Sequence, residues 1–264
     1  MTLVDKQHKR TPKKNTLLEI GDFLDGLLDD NRINQDDYDR AMSDRRSAED
    51  RAKHVLHYLA DLGLDDRLMD GHKLEIETLT LALSEQCGQE YYRIDPLKID
   101  VAQITKVMSY AFTKRHHILA VEVTLDTVTI ASAEPYIDSW ESDLEHVLQK
   151  KIVRVVSNPI DIKRLTTEFY SLSSSISQAT DESLHRKGIG NLEQMLELGS
   201  IKDPEANDQH IVKVVDWILQ YAFEQRASDI HIEPRREKGN IRFRIDGVLY
   251  TVYALPMQAL SAVT

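Results

Sequence analysis

The chain has 264 residues, with 44 acidic against 33 basic side chains, a formal net charge of −11 and 41% hydrophobic residues. That balance argues against nucleic acid as the main partner and against broad adhesion to anionic lipid, because both need clustered Lys and Arg. A single cysteine, Cys87, rules out an internal disulfide, no apolar run approaches the roughly 18 residues of a membrane span, and the polar opening is not a secretory signal. A soluble cytoplasmic protein is the simplest reading.

In chain order, residues 1–15 read as a basic, disordered tail. Leu17, Ile20, Phe23, Leu24, Leu27 and Leu28 have helical spacing. A turn is expected over 31–37, then helical pieces through Tyr38 and Met42, through Val55, Leu56, Tyr58, Leu59 and Leu62, and over 74–83. Residues 16–90 therefore read as a helical N-terminal subdomain. Cys87 is an ordinary helix residue, with no basic cluster to activate it.

The pattern changes at residue 91. Residues 91–94 are β-prone and Pro96 closes them; 101–112 reads as a helix. Leu119, Val121 and Val123 share one strand face, Val128 and Ile130 another, with Leu125, Asp126 and Thr127 as the turn of a β-hairpin. A helix over 138–150, a strand over 152–156 and a helix over 159–170 complete an α+β domain at 91–170. The Ser-rich 171–187 reads as a linker.

Residues 188–264 begin a further domain. A short helix is expected over 191–198. Asp208 is a plausible N-cap before Ile211, Val214, Val215, Ile218 and Ala222. Strands follow over 229–233, 241–246 and 248–253, and Met257 opens a helix that Thr264 cuts short. The fold class is α+β multidomain: an N-terminal helical region, a small α+β domain with a β-hairpin, and a truncated α/β (PAS-like) domain.

The richest motifs lie in ASDIHIEP and IRFRIDG. Ile230 and Ile232 point one way, His231 and Glu233 the other. Ile241, Phe243 and Ile245 form the apolar face of the next strand, with Arg242, Arg244 and Asp246 opposite. Asp246 and Gly247 suit a tight reversal. Two guanidinium forks one strand repeat apart suit a phosphate. The structural alternative is a solvated face with Arg244 paired to Asp246 or Glu233. Asp229, after Ser228, holds its strand by local side-chain to backbone bonding. Neither His231 nor the pair His116 and His117 has the company of a metal site, and Trp217 reads as core or interface. No catalytic pair or metal cluster emerges.

Residues 207–249, with the amphipathic helix, A-S-D-I-H-I-E-P and R-x-R-x-D-G in order, resemble the GspE/PulE/PilB family of type II secretion and type IV pilus assembly ATPases. RIDPLKID, the hairpin ILAVEV…VTIASAEP and VVSNPIDIKRLTTEFY resemble its N-terminal module, so the likeness runs over 17–264. It implies a docking and regulatory segment of a hexameric ring ATPase at the cytoplasmic face of the inner membrane, held there by platform or adaptor proteins without inserting. It also implies that Arg242 and Arg244 approach nucleotide phosphates lodged in the ATPase domain. Ser228, Asp229, His231, Glu233, Asp246 and Gly247 then form the structural frame.

The family's cofactors are ATP and Mg²⁺, but this sequence has no G-x-x-x-x-G-K-[ST] string. Gly188 and Gly190 make only a lone G-x-G, so the chain alone is not expected to hydrolyse ATP; the resemblance also implies that it forms no stable hexamer alone, because most of the family's ring contacts involve the ATPase domain. Some members bind cyclic di-GMP through R-L-G-x-x-L and a later Gln. Here Glu19 replaces that Arg and Arg45 stands at the Gln position, which disfavours a phosphate. The alternative reading is a stand-alone nucleotide-sensing (cyclic di-GMP-type) or protein-docking module without motor function.

Overall fold

The computed structural model describes residues 14–43, 46–187, 204–235, 238–257 and 260. They form two compact units, one of residues to Ile94 with Ala111–Arg164, the other of Asp95–Tyr110 with residues from Leu165 onward.

In the first unit, α1 (Ile20–Asp29), α2 (Gln35–Ser43), α3 (Ala48–Arg51), α4 (Val55–Asp61) and α5 (Ile76–Cys87) supply the helical region. Phe23, Leu24 and Leu27 of α1, Leu56 and Leu59 of α4, and Leu79, Ala82 and Leu83 of α5 close one core. Local chemistry fixes the ends. Ser47 and Asp50 form a reciprocal capping box at α3. Gly88, at φ 69°, ends α5 in the left-handed conformation. Cys87 is the last residue of α5, and burial pushes its thiol pKa up.

The same unit holds a sheet in the order β1-β4-β3-β2. Its strands are β1 (Glu90–Tyr91), β2 (Ile118–Val123), β3 (Thr127–Ser132) and β4 (Lys151–Val156). Strands β2 and β3 form the expected antiparallel hairpin, with a register shift between Ala120 and Glu122. The turn lies one residue earlier than the sequence suggests. Thr127 already belongs to β3, and the Thr124 hydroxyl accepts from its backbone N–H at 3.0 Å. Strand β4 runs parallel to both β3 and β1, and α8 (Glu141–Leu148) makes the β3-to-β4 crossover that a parallel pair needs. Val156 of β4 joins the helical core.

Lys14 and Asn15, the end of the expected tail, are tied down. Lys14 Nζ lies 3.0 Å from Asp138 Oδ2, and Asn15 Oδ1 accepts from the backbone of Asp138 and Ser139 at 3.1 and 2.9 Å.

The helix expected over 101–112 is two, α6 (Val101–Ile104) and α7 (Tyr110–His116). The break follows from Thr105, whose hydroxyl turns back to Val101 O at 2.7 Å while Lys106 and Val107 make tight i→i−3 bonds. The helix expected to stop at residue 170 is α9 (Pro159–Lys187), so 171–187 is helical and not an irregular linker. Ile162, Leu165, Phe169, Leu172 and Ile176 are buried along it at alternating steps of three and four, which outweighs the serine content.

In the second unit, α10 (Pro204–Glu224) starts four residues before Asp208, which is thus a helix residue and not the N-cap. Pro204 suits a first helical position because its fixed φ is already helical. Helix α10 buries Val214, Ile218, Tyr221 and Ala222. Strands β5 (Asp229–Pro234), β6 (Lys238–Ile245) and β7 (Val248–Pro256) form an antiparallel sheet in that order. Residues 1–13, Arg45, the helix expected over 191–198, Gly188 and Gly190 lie outside the described residues.

Candidate functional site

The second sheet sorts its side chains as the alternation predicts. Ile241 and Phe243 are fully buried, and the Phe243 ring lies 5.8 Å from that of Tyr221 on α10. Trp217 stacks on Tyr221 at 5.0 Å and meets Tyr253 edge-on at 6.4 Å, so it is part of this packing. Helix α10 therefore covers one face of the sheet, and β5 and β6 turn their charged residues to the other.

The register sets the charged face. Asp229 lies across from Arg244, His231 from Arg242, and Glu233 from Asn240. Arg244 Nε is 3.2 Å from Asp229 Oδ2, and Arg242 Nη1 is 3.0 Å from Glu233 Oε1. Both arginines are thus engaged across strands, and the pairing of Arg244 with Asp246 or Glu233 does not form. Asp246 stands in the turn at φ 49°, followed by Gly247 at φ 81°, the two positive angles of a primed hairpin turn. Arg244 reaches that turn through Gly247 O, with Nη1 at 3.4 Å.

His231 Nε2 lies 3.4 Å from Arg244 Nη2. A guanidinium only donates, so Nε2 accepts and the ring carries its proton on Nδ1. Ser228 ties the start of β5 to β6: its N–H donates to Arg244 O at 2.8 Å and its hydroxyl to Asp229 Oδ2 at 3.0 Å. Asp229 therefore accepts from the Ser228 hydroxyl and faces Arg244 as an ion-pair partner, so its side chain engages side chains rather than the backbone. The Glu233 carboxyl is held below the usual carboxylate range, first by the hydrogen bond from Arg242 and, more weakly, by Arg235.

Sequence reasoning missed Arg235. Its Nη2 lies 3.6 Å from Glu233 Oε2, which makes Glu233 a bridge between two guanidinium groups. The signal was present, since Arg235 follows Glu233 by one strand period. Among the described residues no group of three or more His, Cys, Asp or Glu side chains could hold a metal ion. No described helix is long and apolar enough to cross a membrane. Glu19, at the N-cap of α1, makes no side-chain capping bond.

Two family models match the chain: the MshEN domain over residues 87–176 and the Type II/IV secretion system protein over 204–264. The type IV pilus assembly ATPase TfpB of Acinetobacter baylyi is 43% identical over 241 residues, 91% of this chain and 41% of that protein. The type IV pilus assembly ATPase PilB of Myxococcus xanthus is 27% identical over 72% of this chain and 33% of its own length. A solved structure of MshE with cdg aligns with 58% of this chain and 99% of that one at 14% identity and a TM-score of 0.38. The chain thus spans about two fifths or less of the length of these two curated relatives. With both family models matched in order and a 43%-identical relative aligned with 91% of this chain, the chain belongs to the type IV pilus assembly and type II secretion ATPase family.

Proposed function

We propose that this chain is the docking and regulatory part of a cytoplasmic hexameric ATPase that powers type IV pilus assembly or type II secretion. It stays peripheral to the inner membrane by binding platform or adaptor proteins through its N-terminal unit. Its contribution to the ATP cycle is to present Arg242 and Arg244 to the phosphates of a nucleotide held by a P-loop domain. That domain binds ATP and Mg²⁺; the sequence here contains no P-loop. In this reading the helix-backed β5–β7 sheet is PAS-like in its layering and acts as the rigid mount for the two arginines.

The observation that carries the proposal is the placement of the two guanidinium groups. They stand one strand repeat apart on the outward face of β6, with side-chain exposures of 29% and 37%, while the other face of the strand is packed against α10. A mount of that kind holds the two guanidinium groups where a charge-assisted contact can form.

The test is a chimera in which this chain replaces the matching segment of the Acinetobacter baylyi relative. Arg242→Ala with Arg244→Ala should lower kcat about 100-fold or more, with a smaller effect on nucleotide binding. A kcat within about twofold of the parent chimera would remove the two arginines from the ATP cycle.

A further inference from the structure

The two arginines are held, but loosely. Arg242 gives Nη1 to Glu233, while its buried Nε has no hydrogen-bond partner among the described residues. Arg244 Nε is ion-paired with Asp229 at 3.2 Å, and its terminal nitrogens reach only to 3.4 Å from Gly247 O and His231 Nε2. Neither pair is the parallel two-bond fork that makes guanidinium–carboxylate contacts strong. Both carboxylates are open to water, with side-chain exposures of 31% for Glu233 and 54% for Asp229, so each pair adds little net stability.

Resting on the phosphate-contact reading above, we propose that Asp229 and Glu233 are built-in stand-ins for phosphate. They hold the two guanidinium groups in position while no nucleotide is present and release them to an incoming phosphate. A phosphate offers more acceptor oxygens and can take the N–H groups that the carboxylates leave unfilled.

Several features of the face fit such an exchange. Asp229 and Glu233 lie four residues apart on β5 and so share one face, with His231 between them. His231 accepts from Arg244 without adding negative charge, so it does not oppose an anion as a third carboxylate would. Glu233 also holds Arg235 at 3.6 Å. Releasing Glu233 therefore frees a second cation, Arg235, beside Arg242. Glu233 is a carboxylate at neutral pH, as a stand-in for phosphate must be, and the hydrogen bond from Arg242 lowers its pKa further. The affinity of this face for phosphate is thus set by competition within β5.

The experiment is a calorimetric titration of the 264-residue chain with inorganic tripolyphosphate, which carries the phosphates without a base. Asp229→Asn with Glu233→Gln keeps side-chain shape and an acceptor oxygen but removes the competing charge. That variant should bind about tenfold tighter than the parent, and each single change should fall between. Arg242→Ala with Arg244→Ala should abolish binding. If the double amide variant binds no tighter while the arginine variant still loses binding, the stand-in role is wrong and the phosphate contact survives. Parent-like binding by the arginine variant, or no binding by either the parent or the double amide variant, overturns both.

Discussion

Glu134 accepts a hydrogen bond from the backbone N–H of Leu18, 116 residues away, at 2.7 Å through Oε2. Its Oε1 lies 3.2 Å from His54 Nε2, which also faces Ala133 O at 3.2 Å. Because His54 Nδ1 accepts from Leu56 N–H as the N-cap of α4, the ring proton sits on Nε2 and points at the carboxylate. One buried side chain after β3 thus fixes the approach to α1 and the start of α4, and with them the helical core beside the sheet.

Glu134→Ala should therefore destabilise the first unit by about 2–3 kcal/mol, because the Leu18 N–H stays buried without its acceptor. Glu134→Gln, which can still accept, should cost less. Urea unfolding followed by circular dichroism measures both. A loss below about 0.5 kcal/mol for the alanine variant would mean that water reaches Leu18 and the staple is dispensable.

The length of α9 makes a separate prediction. Leu172 lies beyond the helix end that the sequence suggests, yet it is buried and continues the stripe of Leu165 and Phe169. Leu172→Ala should cost about 2–4 kcal/mol, as expected for a core leucine. A leucine in a solvated linker would give a change within about 0.5 kcal/mol, so the same melt separates the two descriptions.

The serine content of 171–187 masks a helix. Composition averages over a segment, whereas burial follows spacing, and Leu172 and Ile176 suffice to extend a stripe that Ile162 begins. The β5–β7 sheet was more legible, because alternation and Asp246-Gly247 are local signals that need no knowledge of distant residues. Register is not local. Arg244 meets Asp229 because β5 and β6 pair in one particular offset, and no feature of either strand alone separates that partner from Glu233 or Asp246. The break at Thr105 was hidden for another reason: its apolar neighbours keep helical spacing while its hydroxyl satisfies Val101 O.

The Asp246-Gly247 turn gives a third prediction. At φ 81° Gly247 occupies the left-handed region, which an added Cβ strains even in open space. Gly247→Ala should cost about 1 kcal/mol, and a β-branched Gly247→Val more. The reading depends on comparison with a neighbouring exposed site: Val248→Ala on β7, whose side chain is largely exposed, should change little. Equal losses at the two sites would place the constraint elsewhere than in the backbone angle.

Alkaline pH probes the packed tyrosines. Tyr91, Tyr136 and Tyr253 each have their phenol pKa pushed up to about 12, chiefly by burial, and Tyr91 also by the hydrogen bond it donates to Glu77. Unfolded tyrosine ionises near about 10. Their contribution to stability is complete below that value. Between about 10 and 12 the unfolded chain has lost protons that the native chain still holds, so stability falls as pH rises. Tyrosinate absorbance should therefore show two groups among the ten tyrosines: exposed phenols titrating reversibly, then a late group appearing together with loss of secondary structure. Tyr91→Phe should remove one member of the late group, while Asn158 still donates to Glu77 at 2.9 Å and keeps that carboxylate partnered. A single smooth titration near 10 with the fold intact would show that these rings are open to solvent rather than packed.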